Sequence, residues 1–104
     1  MQLSSLKLVT VVGEPTIMEE MATRGMSLGA TGYTLTETSG RGSRGVRQLV
    51  VTGAANTMKL EFVVTIDIAE QILAIVARRF FGHRACIAWM EDVQVMQGEA
   101  YLGS

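Results

Sequence analysis

Apolar and polar positions repeat along this chain with two different periods, and glycine marks most of the breaks between them. Residues 6–12 (LKLVTVV) form a β-branched apolar run that reads as a buried strand, ended by Gly13. Glu14-Pro15 then opens a helix, because proline is tolerated in a first turn and Glu19 and Glu20 suit the positive helix start. Ile17, Met18, Met21, Ala22 and Met26 recur at three- and four-residue spacing and predict its apolar face, with Gly29 as its stop. Residues 31–38 (TGYTLTET) read as a second strand. In residues 57–66 (TMKLEFVVTI) the period is two: Met58, Leu60, Phe62, Val64 and Ile66 share one face, and Lys59, Glu61, Val63 and Thr65 the other. Asp67 with Glu70 forms a D-x-x-E capping pattern for a second helix, which runs through Ile68, Ile72, Leu73, Ile75, Val76 and Phe80 to Gly82. Residues 85–90 and 93–96 are strand-like, and predict one strand bent at Glu91-Asp92.

The predicted order is β-α-β-β-α-β, an α+β arrangement of the ferredoxin-like, split βαβ kind. Its connections have a geometric consequence. If the first strand rises, the first helix descends, the second strand rises, the third descends, the second helix rises and the fourth strand descends. The turn after the first strand, the connection between strands two and three, and the turn after the second helix then share one end.

Charge makes that end interesting. The 104 residues carry a net charge of −1, which does not point to bulk nucleic-acid binding. Yet no acid occurs between Glu37 and Glu61, where Arg41, Arg44, Arg47 and Lys59 stand, nor between Glu70 and Glu91, where Arg78, Arg79, His83 and Arg84 stand. Two cationic stretches on a nearly neutral chain suggest local anion sites.

Size and hydropathy narrow the class. A chain of 11.3 kDa holds one domain, residues 1–104, without separate catalytic and binding lobes. The residues are 48% hydrophobic and 18% charged, too apolar for a disordered protein. No run reaches the roughly 18 apolar residues of a membrane helix. A mean hydropathy of +0.29 on so small a chain implies an oligomer that buries apolar surface between subunits. The start has no basic segment followed by an apolar one, so no secretory signal is read, and a cytoplasmic protein is expected. One cysteine, Cys86, excludes an intramolecular disulfide.

The strongest local motif is Gly40-Arg41-Gly42-Ser43-Arg44-Gly45-Val46-Arg47, within a glycine-rich stretch over 39–56 whose Leu49-Val50-Val51 run could add a short strand. Glycines let backbone N–H groups turn inward into an anion-binding nest. Ser43 adds a hydroxyl donor, and Arg44 and Arg47 add planar forks that match phosphate, carboxylate or bicarbonate. The residues alone leave two readings open: an anion receptor, or a solvated Gly/Arg loop. The motif is neither a Walker P-loop nor a Rossmann fingerprint.

Gly82-His83-Arg84 is the second motif, and by itself reads more readily as a helix end with favourable charges than as a site. His83 has no partner at metal spacing. Cys86 reads as a small apolar residue, Glu19-Glu20 as a solvated helix face, and the six internal methionines as core and interface packing. Catalysis has little support, since His83 and Cys86 are the only conventional bases or nucleophiles. Two ferredoxin-like alternatives are also weakened. The third strand carries Phe62 without the aromatic pattern of an RNA-recognition domain, and the Gly13-Glu14-Pro15-Thr16 turn lacks the arginine of an acylphosphatase-like cradle.

The segment from Gly32-Tyr33-Thr34 through Thr38 to the 40–47 motif resembles the G-Y-T…G-x-G-S-R-x-V-R stretch of PII-like signalling proteins, in the branch that includes SbtB and the carboxysome-associated PII-like proteins. Asn56-Thr57, the strand through Phe62, and Phe80-Phe81 followed by Ala85 are similar too; the resemblance spans roughly residues 7–95. It implies a homotrimer of ferredoxin-like subunits that is a sensor, not an enzyme. Adenine nucleotides, ADP or AMP, would bind between subunits, and a loop at 39–56 (the T-loop) would dock on a bicarbonate transporter or other carbon-uptake component.

By the same resemblance, Gly42, Ser43, Arg44 and Arg47 would contact phosphates, and Gly42, Ser43 and Arg47 bicarbonate. Gly32, Tyr33 and Thr34 would line the adenine side. Gly82, His83, Arg84, Ala85 and Cys86, within a B-loop equivalent at 81–86, would close the cleft, with Phe62 on the neighbouring strand. No cofactor beyond these ligands and no nucleic-acid partner is implied. The general T-G-x-x-G-D-G-K B-loop is replaced here by Phe81-Gly82-His83-Arg84-Ala85-Cys86, which favours nucleotides with fewer phosphates. The chain also lacks the tyrosine used for uridylylation in the T-loop and a paired-cysteine tail. The competing expectation is a small ferredoxin-like enzyme acting on an acyl phosphate or a nucleotide.

Overall fold

The computed structural model describes residues 2–38, 57–80 and 86–102. The Gly/Arg motif, with Gly42, Ser43, Arg44 and Arg47, lies outside the described residues, as do the 49–51 run and Gly82, His83, Arg84 and Ala85.

The described elements follow the expected order: β1 (Leu3–Gly13), α1 (Pro15–Leu28), β2 (Thr34–Thr38), β3 (Thr57–Val64), α2 (Ile66–Arg79) and β4 (Cys86–Met96), then a single 3₁₀ turn over Gly98–Tyr101. The strands form one sheet in the order β2-β3-β1-β4. Every neighbouring pair is antiparallel.

Both helices lie against the face that carries Val9 and Val11 of β1 and Leu60, Phe62 and Val64 of β3. Ile17, Met18, Met21 and Ala22 from α1 and Ala69, Ile72 and Val76 from α2 close that core. The alternation expected for β3 holds as far as Val64; Ile66, expected on the same face, instead opens α2 and is 41% exposed, because the strand ends at Val64. The face of α1 differs at one position: Met26 is 41% exposed, and Gly25 takes its inner place. The reason is Phe62, whose ring sits directly over Gly25, where a Cβ would overlap the ring atoms. The close approach centres the buried stripe on position 25 and turns Met26 to the flank.

Helix ends also follow physical chemistry. Glu14 is the N-cap residue of α1, with Pro15 in its first turn. Gly29 ends the helix at φ 120°, in the left-handed region, and donates its N–H to the carbonyls of Gly25 and Met26. For α2 the expected cap is corrected. The N-cap is Thr65, whose hydroxyl oxygen accepts from the Ile68 N–H at 3.5 Å, while Asp67 occupies the first turn. The cause is register: β3 ends at Val64 opposite Lys7, so the helix starts before Asp67. Thr65→Ala is expected to destabilise the fold by about 0.5–1 kcal/mol, the low end for a lost cap because the bond is long, measurable by urea unfolding at fixed protein concentration.

The expected bend at Glu91-Asp92 is absent. β4 pairs with β1 without interruption from Gly13↔Cys86 to Leu3↔Met96. Asp92 is accommodated because Lys7 Nζ donates to its Oδ1, and two pairs further along the ladder Gln94 Nε2 donates to Ser5 Oγ at 2.7 Å. Among the described residues no helix covers the other sheet face. By alternation it presents Leu8 and Val12, Val63, Ile87 and Trp89. Trp89 is 40% exposed, its Nε1 donating to Glu91 Oε1 at 3.0 Å. No helix among the described residues is long and apolar enough to cross a membrane.

Candidate functional site at one end of the sheet

Strand register locates the points from which the two cationic stretches leave the described fold. Gly13, the last residue of β1, lies opposite Met58 of β3 on one side and Cys86 of β4 on the other. Thr38, the last residue of β2, lies opposite Thr57. Adjacent strands are about 4.8 Å apart, which sets Met58 and Cys86 roughly 10 Å from each other across Gly13. Residue 38 leads into segment 39–56 and residue 57 leads out of it; residue 80 precedes segment 81–85 and Cys86 follows it. Both cationic segments are therefore anchored at the same end, as the element order requires.

The anchors are specific. Thr57 is buried, and its hydroxyl donates to the Thr38 carbonyl at 3.2 Å, satisfying a buried polar group and tying the two strand ends together. Phe80, also buried, closes α2 with its N–H on the Val76 carbonyl at 3.0 Å. Between the first turns of α1 and the end of α2 runs a groove of about 220 Å³, lined by Thr16, Ile17, Glu20, Arg79 and Phe80. Glu20 Oε2 receives Arg79 Nη2 at 2.7 Å and Arg24 Nε at 3.0 Å, so Glu20 is more than a solvated helix carboxylate. The Arg79 guanidinium also lies over the Phe80 ring, 5.8 Å from its centroid. Sequence reasoning missed Thr57 and Glu20. The signal for Thr57 was a small polar residue at the start of an alternating strand; for Glu20 the four-residue spacing to Arg24 was a local signal, but none pointed to Arg79, which is on another helix.

Cys86 stands at this end, at the start of β4. Burial pushes its thiol above the ordinary range, which keeps it a protonated, weakly nucleophilic group near neutral pH. Gly32, Tyr33 and Thr34 are elsewhere. Thr34 pairs with Glu61, about 13 Å down the edge strand from Thr38 at strand rise. Nothing lies within 4 Å of where a Gly32 side chain would begin, and Tyr33 is 48% exposed. Those residues line an open lateral edge. Phe62 is different: it is 1% exposed and belongs to the core. Its link to the edge runs through Tyr33, whose ring it meets edge-on at 6.2 Å with an interplanar angle of 62°. Among the described residues, no group of three or more His, Cys, Asp or Glu could hold a metal ion.

Comparison with known proteins fits this geometry. The solved PII-like signalling protein of Thermus thermophilus is 35% identical, with a TM-score of 0.82 over 98% of this chain and 100% of that one. CPII of Thiomonas intermedia, solved with ADP, AMP and acetate, is 21% identical with a TM-score of 0.80, over 99% of this chain and 100% of that chain. The same protein solved with ADP and bicarbonate is 23% identical with a TM-score of 0.77, over 96% and 97% of the two chains. At those lower identities the likeness is one of fold. Residues 6–100 match the family described as nitrogen regulatory protein P-II. A match over nearly the whole chain, on a βαββαβ sheet that gathers two arginine-bearing connections at one end, makes this chain a member of the P-II family.

Proposed function

We propose that this protein is a non-enzymatic PII-like signalling protein of the SbtB and carboxysome-associated branch. In this reading it senses ADP or AMP, and bicarbonate, between the subunits of a cytoplasmic trimer. It regulates inorganic-carbon uptake or metabolism through residues 39–56, docking on a bicarbonate transporter or another carbon-uptake component. The observation that carries the reading is the shared anchorage of the two cationic segments around Gly13. An anionic ligand is held more tightly by several donors, and this topology would let two separated segments contribute them. That CPII has been solved with ADP, AMP and bicarbonate supports the ligand class.

In the proposed mechanism the phosphates are held by Gly42, Ser43, Arg44 and Arg47 with His83 or Arg84, and bicarbonate by Gly42, Ser43 and Arg47. Arg41, Arg44 and Arg47 repel one another. A bound anion offsets that repulsion, adds charge-assisted hydrogen bonds and selects one arrangement of the segment, which a partner then reads. The exposed Gly32–Thr34 edge would receive the adenine, and the helix-free sheet face with Leu8, Val63 and Trp89 would be covered by the neighbouring subunits.

A thermal-shift panel of AMP, ADP, ATP and cyclic AMP, each with and without bicarbonate, tests the reading. Stabilisation by at least one adenine nucleotide is expected, since ligand at about 100 times Kd adds roughly 2.7 kcal/mol. Light scattering should give three times the chain mass. Silence across the whole panel, a monomer mass, or turnover of an acyl phosphate or nucleotide by the purified protein would each contradict it.

A further inference from the structure

We propose that Glu20 is a positioning residue for the nucleotide phosphates, acting through Arg79 on the end of α2; the proposal rests on the nucleotide-binding reading above. Three observations lead there. A single carboxylate oxygen of Glu20 holds two guanidinium groups, Arg24 one turn along its own helix and Arg79 in the last turn of the other. Among the described residues Glu20–Arg79 is the ion pair that joins the two helices. And Arg79 lies over the ring of Phe80, the last described residue before the second cationic segment.

The pair's exposure says what it is for. The Arg79 side chain is 50% exposed and that of Glu20 37%, a setting in which an ion pair adds little to folding stability. The helices are already held by Met18, Met21, Ala69, Ile72 and Val76 in the core. What the pair adds is direction. Phe80 is packed into the core, but the Arg79 side chain beside it is half exposed and could take several directions; a carboxylate on the facing helix fixes where it stands and adds a second tie to the last turn of α2. Glu20 also neutralises Arg79.

The test compares Glu20→Gln, Arg79→Gln, the double variant and Arg24→Gln in the full chain. ADP and adenosine affinities are measured by calorimetry, and exchange of the Phe80 amide by NMR without ligand. Glu20→Gln and Arg79→Gln are each expected to weaken ADP about fivefold and to leave adenosine unchanged, the double variant being no worse than either single. Phe80 exchange should quicken in both. Arg24→Gln, which removes the other partner of the same oxygen, should match the unsubstituted protein throughout. Equal weakening of ADP and adenosine, effects that multiply in the double variant, or unaltered Phe80 exchange would overturn the assignment. If the unsubstituted protein bound no adenine nucleotide, the functional reading would fall. Phe80 exchange would then decide alone: quickened in Glu20→Gln and Arg79→Gln but not in Arg24→Gln, it keeps Glu20 as the anchor of α2, and unaltered it removes it.

Discussion

Arg47→Ala is expected to raise the Kd for ADP at least tenfold and to abolish any effect of bicarbonate on nucleotide binding. The magnitude follows from the chemistry proposed for the side chain. A hydrogen bond to a charged group contributes about 1.5–3 kcal/mol, and each 1.4 kcal/mol is a factor of about ten in affinity. Arg44 and the second cationic segment would still hold phosphate, so nucleotide binding should weaken and not vanish. Bicarbonate is small and offers only a few acceptors, so loss of one fork should remove it altogether. Arg47→Lys separates charge from geometry: it keeps the positive charge but lacks the planar pair of donors, and should recover part of the ADP affinity but little of the bicarbonate response. Isothermal titration at constant ionic strength reads both effects. Unchanged titrations for Arg47→Ala would take the residue out of the site.

The second large effect is in the core, at the contact between Phe62 and Gly25. Phe62→Ala should cost about 3–5 kcal/mol, as expected for deleting a fully buried ring. Gly25→Ala has two opposed terms. It gains about 1 kcal/mol of helix propensity, but its Cβ would overlap the Phe62 ring, and overpacking of this kind costs about 1–3 kcal/mol. A modest net loss follows. The two positions are coupled: with Phe62→Leu already present, Gly25→Ala should become neutral or stabilising, because the smaller side chain vacates the space. Urea unfolding at one protein concentration measures all four variants, the concentration being held constant because assembly shifts apparent stability. If Gly25→Ala were equally destabilising in both backgrounds, the ring would not be the cause. Tyr33 loses its edge-on partner in Phe62→Leu, which gives adenine affinity as a further readout.

Much of this architecture was legible because its signals are local. Both helices, the alternation of β3 and the glycine stop after α1 came from periods of 3.6 and 2 and from a residue suited to positive φ. The expectations that failed depended on residues distant in sequence. Asp67 looked like a cap, but the start of α2 is set by where Val64 finds Lys7 on another strand. Glu91-Asp92 looked like a bend, but β1 begins at Leu3 and extends the ladder past both acids, with Lys7 as partner for Asp92. Met26 looked buried, but a phenyl ring from β3 chose Gly25 instead. The candidate site divides in the same way. Arginines and glycines in two runs raised an anion site by composition alone and left a solvated loop open beside it, whereas the partners in the Thr57–Thr38 tie and the Glu20–Arg79 pair are far apart in sequence and nothing local names them.

What the sequence determined by itself was the order and type of the elements, and through that order the end of the sheet at which its cationic connections meet. That much is topological: a chain that alternates direction element by element has no freedom over which turns share an end. Which side chains face one another was decided only in three dimensions. Register and ring-against-backbone packing couple positions tens of residues apart, and no local period encodes them.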